Sequence, residues 1–199
     1  MDKIFAIVDA QGFIVKKKFY AREVAIINDN FSYCQEYDPN LHLDYISKDD
    51  VRRIKFCTYK LHGLTLRPME KSSLTFMPKS DDIIGILRHY HKLLSHPNRP
   101  YFGVKNELLR RILEDGDIPY LDLNREEFNF PSINYLEKFY NNYWTCGYHR
   151  KFPVNINPNK KEPIISYRCA FRKCANIWRH IKARTNKIFD CDVIEGVVI

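Results

Sequence analysis

Cys146-Gly147-Tyr148-His149 and, twenty residues on, Arg168-Cys169-Ala170-Phe171-Arg172-Lys173-Cys174 are the residues of this 199-residue chain best suited to chemistry. Thiolate and imidazole are the ligands a tetrahedral zinc ion takes, and sites of the structural type close with a fourth donor. Cys146, His149 and Cys169 supply three such ligands. Cys174 falls about 140° further round a helix than Cys169, so the two thiols do not easily reach one ion and Cys174 reads as core. Buried thiols and a surface histidine are the alternative reading of the same set.

Charge is concentrated around these residues. Eleven Lys/Arg and one acid, Glu162, lie between Trp144 and Lys187, which leaves 21 basic and 23 acidic residues elsewhere. All of the net charge of +8 therefore belongs to this C-terminal region. A helix is predicted from Tyr167 to Ala183, with Phe171, Cys174, Ile177, Trp178 and Ile181 on one arc. Arg172, Arg179 and Lys182 each fall within about 40° of Arg168 on the opposite arc. With Lys173, Arg150 and Lys151 close by, that face is a footprint for a phosphate backbone. A solvated amphipathic helix has the same pattern. The lack of interleaved acids, which surface helices use for i,i+4 pairing, favours a polyanion. Tyr143, Trp144, Tyr148 and Tyr167 are candidates to stack unpaired bases.

The elements that must position these groups read as follows. Ile4 to Val8 is a continuous apolar run ending at Asp9, the pattern of a strand covered on both faces. Gln11-Gly12 reads as a turn, and strand-like runs follow at Phe19–Ile27 and Phe31–Tyr37, joined by Asn28-Asp29-Asn30. Residues 38–80 carry weak signals, with a turn at Leu61–Leu64. Helices are expected from the Ser80–Asp82 cap to Ser95, over Asn106–Glu114 and over Pro131–Tyr140, and strands at Tyr101–Val104 and Ile118–Leu123. Three antiparallel strands followed by alternating helices and strands predict a mixed α/β sheet with helices packed on it, in a single domain spanning 1–199.

Hydrophobic residues make up 45% of the chain, enough to bury a core, while no run of 18 apolar residues offers a membrane span. The N-terminus reads as a strand and lacks a signal-peptide cleavage site, so the expected location is intracellular, cytoplasmic and/or nuclear. In that reducing setting the six cysteines suit metal binding or burial better than disulfides.

Arg22-Glu23-Val24-Ala25, Cys146-x-x-His149 and Cys169-Ala170-Phe171-x-x-Cys174, taken with the strand order, resemble the MAEL domain of the Maelstrom proteins. That domain is a relative of DnaQ-type exonucleases in the RNase H-like superfamily, and the resemblance runs from about Ile4 to Ala183. It implies one structural zinc ion per chain held by Glu23, Cys146, His149 and Cys169, tying the N-terminal hairpin to the last helix. It also implies single-stranded RNA as a partner, with proteins of a small-RNA or transposon-silencing pathway.

The resemblance implies a degenerate catalytic centre too. Active relatives hold two metal ions with Asp-x-Glu on the first strand, a middle Asp and a final His-x-Ala-Leu-x-Asp-Ala helix, because hard Mg²⁺ demands oxygen ligands. Here the first strand offers Asp9-Ala10-Gln11, and Arg168 and Lys173 stand where the general base and last aspartate would be. Asp9 is the remnant candidate, and the middle motif, near Asn106-Glu107, is not recognisable. The leading expectation is RNA binding without two-metal chemistry, leaving open a weak or metal-independent ribonuclease. An active nuclease rearranged around Asp9 and a protein-interaction scaffold are the alternatives.

Overall fold

The structure, a computed structural model, describes residues 1–42, 45–66, 82–140 and 169–185. Among these, five strands form one mixed sheet, β3-β2-β1-β4-β5. β1 (Ile4–Val15), β2 (Lys18–Ile27) and β3 (Ser32–Glu36) are antiparallel neighbours, and β4 (Tyr101–Val104) and β5 (Tyr120–Asp122) run parallel to β1. No helix among the described residues is long and apolar enough to cross a membrane.

Side chains alternate across a strand, and β1 and β2 are apolar on both faces. Ala6, Val8 and Ala10, with Val24 and Ile26, face a core completed by Leu87 of α2 (Ile83–Leu94) and by Leu109 and Leu113 of α3 (Glu107–Asp115). Ile4 and Ile7, with Ala25 and Ile27, face a second core built by Leu136 of α4 (Ile133–Tyr140) and by Cys174, Ile177, Trp178 and Ile181 of α5 (Ala170–Thr185). Cys174 is thus a core residue, as the spacing predicted.

The expected turn at Gln11-Gly12 is not there. β1 continues through it with a register shift, and the reversal comes at Lys16-Lys17, both with positive φ (49° and 67°). Gly12 is needed because a Cβ there would strike the Tyr20 carbonyl. The Gly12 carbonyl lies 3.1 Å from Nε2 of buried His62, whose Nδ1 accepts the Leu64 N–H, so His62 is the neutral Nε2–H tautomer donating to the bulge. In place of an isolated turn at Leu61–Leu64, Leu61 and His62 end a helical segment over Cys57–His62, which Gly63 closes at φ 71°.

A helix absent from the sequence-based reading, α1 (Lys48–Phe56), lies in the weakly patterned stretch. Its signal was Ser47-x-x-Asp50: Ser47 Oγ accepts the Asp50 N–H at 3.1 Å and donates to its carboxylate at 2.9 Å. Ile54 packs with Phe13 and Val15, covering the far end of β1.

α5 is enclosed. None of residues 169–183 is fully exposed, and the seam against α4 is polar. Arg172 pairs with Glu137 at 3.3 Å, and His180 Nδ1 lies 3.4 Å from the Tyr140 hydroxyl. Burial, then the Arg184 charge, lowers the His180 imidazole pKa below its ordinary value. Asn176, 1% exposed, has no hydrogen-bond partner for either amide atom among the described residues. A buried amide left in this state costs about 1–3 kcal/mol. Asn176→Leu, which keeps the branching and heavy-atom count of the side chain, is therefore expected to raise the melting temperature by about 2–4 °C per kcal/mol recovered, as read by thermal denaturation.

Candidate functional site

Two buried polar groups lie on the α5 side of the sheet, next to each other because of the strand register. On β1 the residues sharing Ile7's face are Asp9 and Gln11; on β2 they are Ala25 and Glu23. Gln11 pairs with Glu23, and Asp9 with Ala25. The N-terminal half of α5 covers both groups.

The first group is centred on Asp9. Its Oδ2 receives the Lys173 ammonium at 3.3 Å and the Gln11 amide at 3.2 Å, and its Oδ1 receives the Asn106 amide at 2.9 Å. The Asp9 and Lys173 side chains are 5% and 13% exposed. Asn106 is held because its Oδ1 caps α3 through the Leu108 N–H at 3.0 Å, while its amide also reaches the Ala10 carbonyl. One ammonium and two amide donors thus converge on a single carboxylate. A two-metal centre would need several carboxylates around shared cations.

Asp122, at the end of β5, is a second carboxylate at the carboxyl ends of the parallel strands. It accepts Arg110 at 3.0 Å and both the backbone and side-chain N–H of Asn124. Burial opposes its ionisation, but these donors outweigh burial and hold its pKa below the ordinary carboxylate value. Sequence reasoning passed over Asp122 because nothing in its neighbours announces a site.

The second group is centred on Glu23, which is fully buried. Its Oε2 accepts the Ala170 N–H at 2.9 Å, so a carboxylate from β2 caps the N-terminus of α5, where the helix dipole favours negative charge. Its Oε1 lies 3.5 Å from Cys169 Sγ and 3.4 Å from Cys34 Sγ. The structure therefore brings together Glu23 and Cys169, two of the four expected ligands, and adds Cys34, a β3 thiol that the spacing gave no reason to choose. The other two, Cys146 and His149, lie outside the described residues. Among the described residues no three His, Cys, Asp or Glu side chains form a metal-holding group. The pair itself suits zinc. Ligand distances of about 2.3 Å to sulfur and 2.0 Å to oxygen place adjacent tetrahedral donors roughly 3.5 Å apart. The Ala170 N–H is the kind of outer hydrogen bond that orients a ligating carboxylate.

The cations of α5 are not arrayed as the angular reading predicted. Arg172, 7% exposed, is turned inward onto Glu137, and Lys173 onto Asp9. Lys182 remains at the surface but pairs with Asp29 at 2.8 Å, and Trp178 Nε1 donates to the same carboxylate at 3.0 Å. Arg179 is half-buried beside Tyr140. A helical wheel assigns residues to faces but does not say what covers each face. Here the sheet covers one and α4 another, so buried cations take counter-ions from Asp9 and Glu137. Arg150, Lys151 and Arg168 lie outside the described residues, as do Tyr143, Trp144, Tyr148 and Tyr167.

The class these features define is an α/β domain with a five-stranded mixed sheet and a salt-bridged polar cluster beneath its last described helix. Comparison with family models, curated proteins and solved structures returned no match to the chain.

Proposed function

We propose that this chain is an RNase H-like, zinc-stabilised domain that binds single-stranded RNA and does not carry out two-metal exonuclease chemistry. The sheet order, three antiparallel strands followed by two parallel to the first, is the arrangement that reading requires. The observation that carries it is the Lys173 ammonium on Asp9. An internal cation already neutralises this carboxylate, and the flanking Gln11 and Asn106 are neutral amides rather than carboxylates. A Mg²⁺ ion approaching Asp9 would meet that ammonium and find too few hard oxygen donors.

Glu23 and Cys169, with Cys146 and His149 from the sequence, would hold the zinc. In such a closed shell the ion supplies cohesion rather than reactivity, fixing the start of α5 to β2. Because several α5 cations are neutralised locally, RNA binding draws its charge chiefly from the basic sequence around Arg150, Lys151 and Arg168. Small-RNA or transposon silencing is the role this reading suggests.

The test is a labelled single-stranded RNA incubated with the protein in Mg²⁺ or Mn²⁺. The expected result is binding that weakens steeply with salt, as phosphate contacts require, and RNA left intact. Metal-dependent cleavage abolished by Asp9→Asn would overturn the reading in favour of a rearranged nuclease. Absence of RNA binding at low salt would favour a protein-interaction scaffold.

A further inference from the structure

The outward face of α4 carries an aromatic pair exposed among the described residues. Tyr135 and Phe139, one helical turn apart, are 52% and 62% exposed. Their rings lie nearly parallel, 16° apart with centroids at 5.7 Å. Leu136 from the same helix fills the core, so the pair is not needed for packing. Lys138 is exposed between the two rings in sequence, and Ser132 and Asn134 are the other exposed residues nearby. The acid of this helix, Glu137, is turned inward onto Arg172. The exposed face of α4 is therefore two stacked rings and a cation, with no acid.

We propose that this face is a base-stacking platform for an unpaired polynucleotide, an inference that rests on the RNA-binding reading above. Every base has a π-face that stacks on an exposed aromatic ring, whatever the sequence. Lys138 is placed to meet a phosphate of the same strand, and the withdrawal of Glu137 removes the charge that would repel it. A polyanion is favoured over an apolar protein partner by the exposed Lys138 beside the rings and by the withdrawal of Glu137 from this face. The platform is continuous in sequence with residues 141–168, which hold five Lys/Arg and one acid.

The test compares wild type, Tyr135→Leu/Phe139→Leu and Tyr135→Phe by fluorescence anisotropy. The probes are a labelled mixed-sequence RNA of about 12 nucleotides and the same chain without bases. The double variant is expected to lose roughly 10- to 100-fold in affinity for the RNA, given the usual worth of base–aromatic stacking. Its salt slope should stay unchanged, as should its affinity for the abasic chain. Tyr135→Phe should bind as wild type, and all three should melt alike because the rings are exposed. Wild-type affinity in the double variant, or an equal loss on the abasic chain, would overturn the platform while leaving RNA binding intact. Self-association in sedimentation velocity that the double variant abolishes, with RNA affinity unmoved, would assign the rings to a contact between copies. A wild type that binds neither probe removes the RNA reading itself, and the platform with it.

Discussion

Removing the internal cation, as Lys173→Met, is expected to lower stability by about 3 kcal/mol, the lower end of what loss of one partner of a buried ion pair costs. The lower end applies because Asp9 keeps two amide donors, from Gln11 and Asn106. Asp9→Asn/Lys173→Met should recover most of that loss, since no uncompensated charge then remains beneath α5. Urea unfolding of the four proteins of this cycle measures the coupling directly. A Lys173→Met protein as stable as wild type would show that the ammonium is not Asp9's counter-ion and does not keep a metal ion from this carboxylate. The complementary change, Gln11→Glu with Lys173→Asp, surrounds Asp9 with carboxylates and should raise Mn²⁺ affinity at this position above that of wild type, as read by electron paramagnetic resonance.

The second large effect concerns Glu23. If zinc is held there, purified protein contains one zinc ion per chain by elemental analysis. Structural zinc contributes on the order of 10 kcal/mol of apparent folding free energy in small metal-dependent domains. Chelation is therefore expected to lower the melting temperature markedly, and Cys169→Ser should lose the ion and become insensitive to chelator. Glu23→Gln separates the two roles of this residue. An amide oxygen still accepts the Ala170 N–H and so caps α5, but it is a poor zinc ligand. A Glu23→Gln protein that keeps full zinc would leave Glu23 as a helix cap alone. Zinc-free protein that melts as the untreated material does would remove the metal from the proposal. Cys34→Ser is the control for the extra thiol near Glu23 Oε1.

The two groups are linked by α5. Ala170 is capped by Glu23, and Lys173, one turn later, meets Asp9. Further along, Trp178 and Lys182 both reach Asp29 in the hairpin between β2 and β3. The helix is thus fixed at three levels, to β2, to β1 and to the β2–β3 hairpin.

Local chemistry determined a good deal of this. The apolar run of β1, the Asn28–Asn30 reversal (its Asn28 Oδ1 accepting the Asn30 N–H at 2.9 Å) and the apolar faces of α2 and α3 follow from side-chain periodicity and turn preference. The neutral Gln11 two residues after Asp9, and Cys174 as core, could be read from spacing alone. Other features could not be read, because they depend on residues brought together from distant parts of the chain. Only the tertiary structure set Asn106 and Lys173 on Asp9, Cys34 beside Glu23, and Arg172 inside a seam rather than on a surface. The α1 helix escaped notice because its single-turn cap is brief and its one buried apolar residue, Ile54, acquires meaning only against Phe13 and Val15. Periodicity records which residues share a face. What that face meets, and so whether a cation serves a partner or an internal carboxylate, is decided by the packing of elements far apart in sequence.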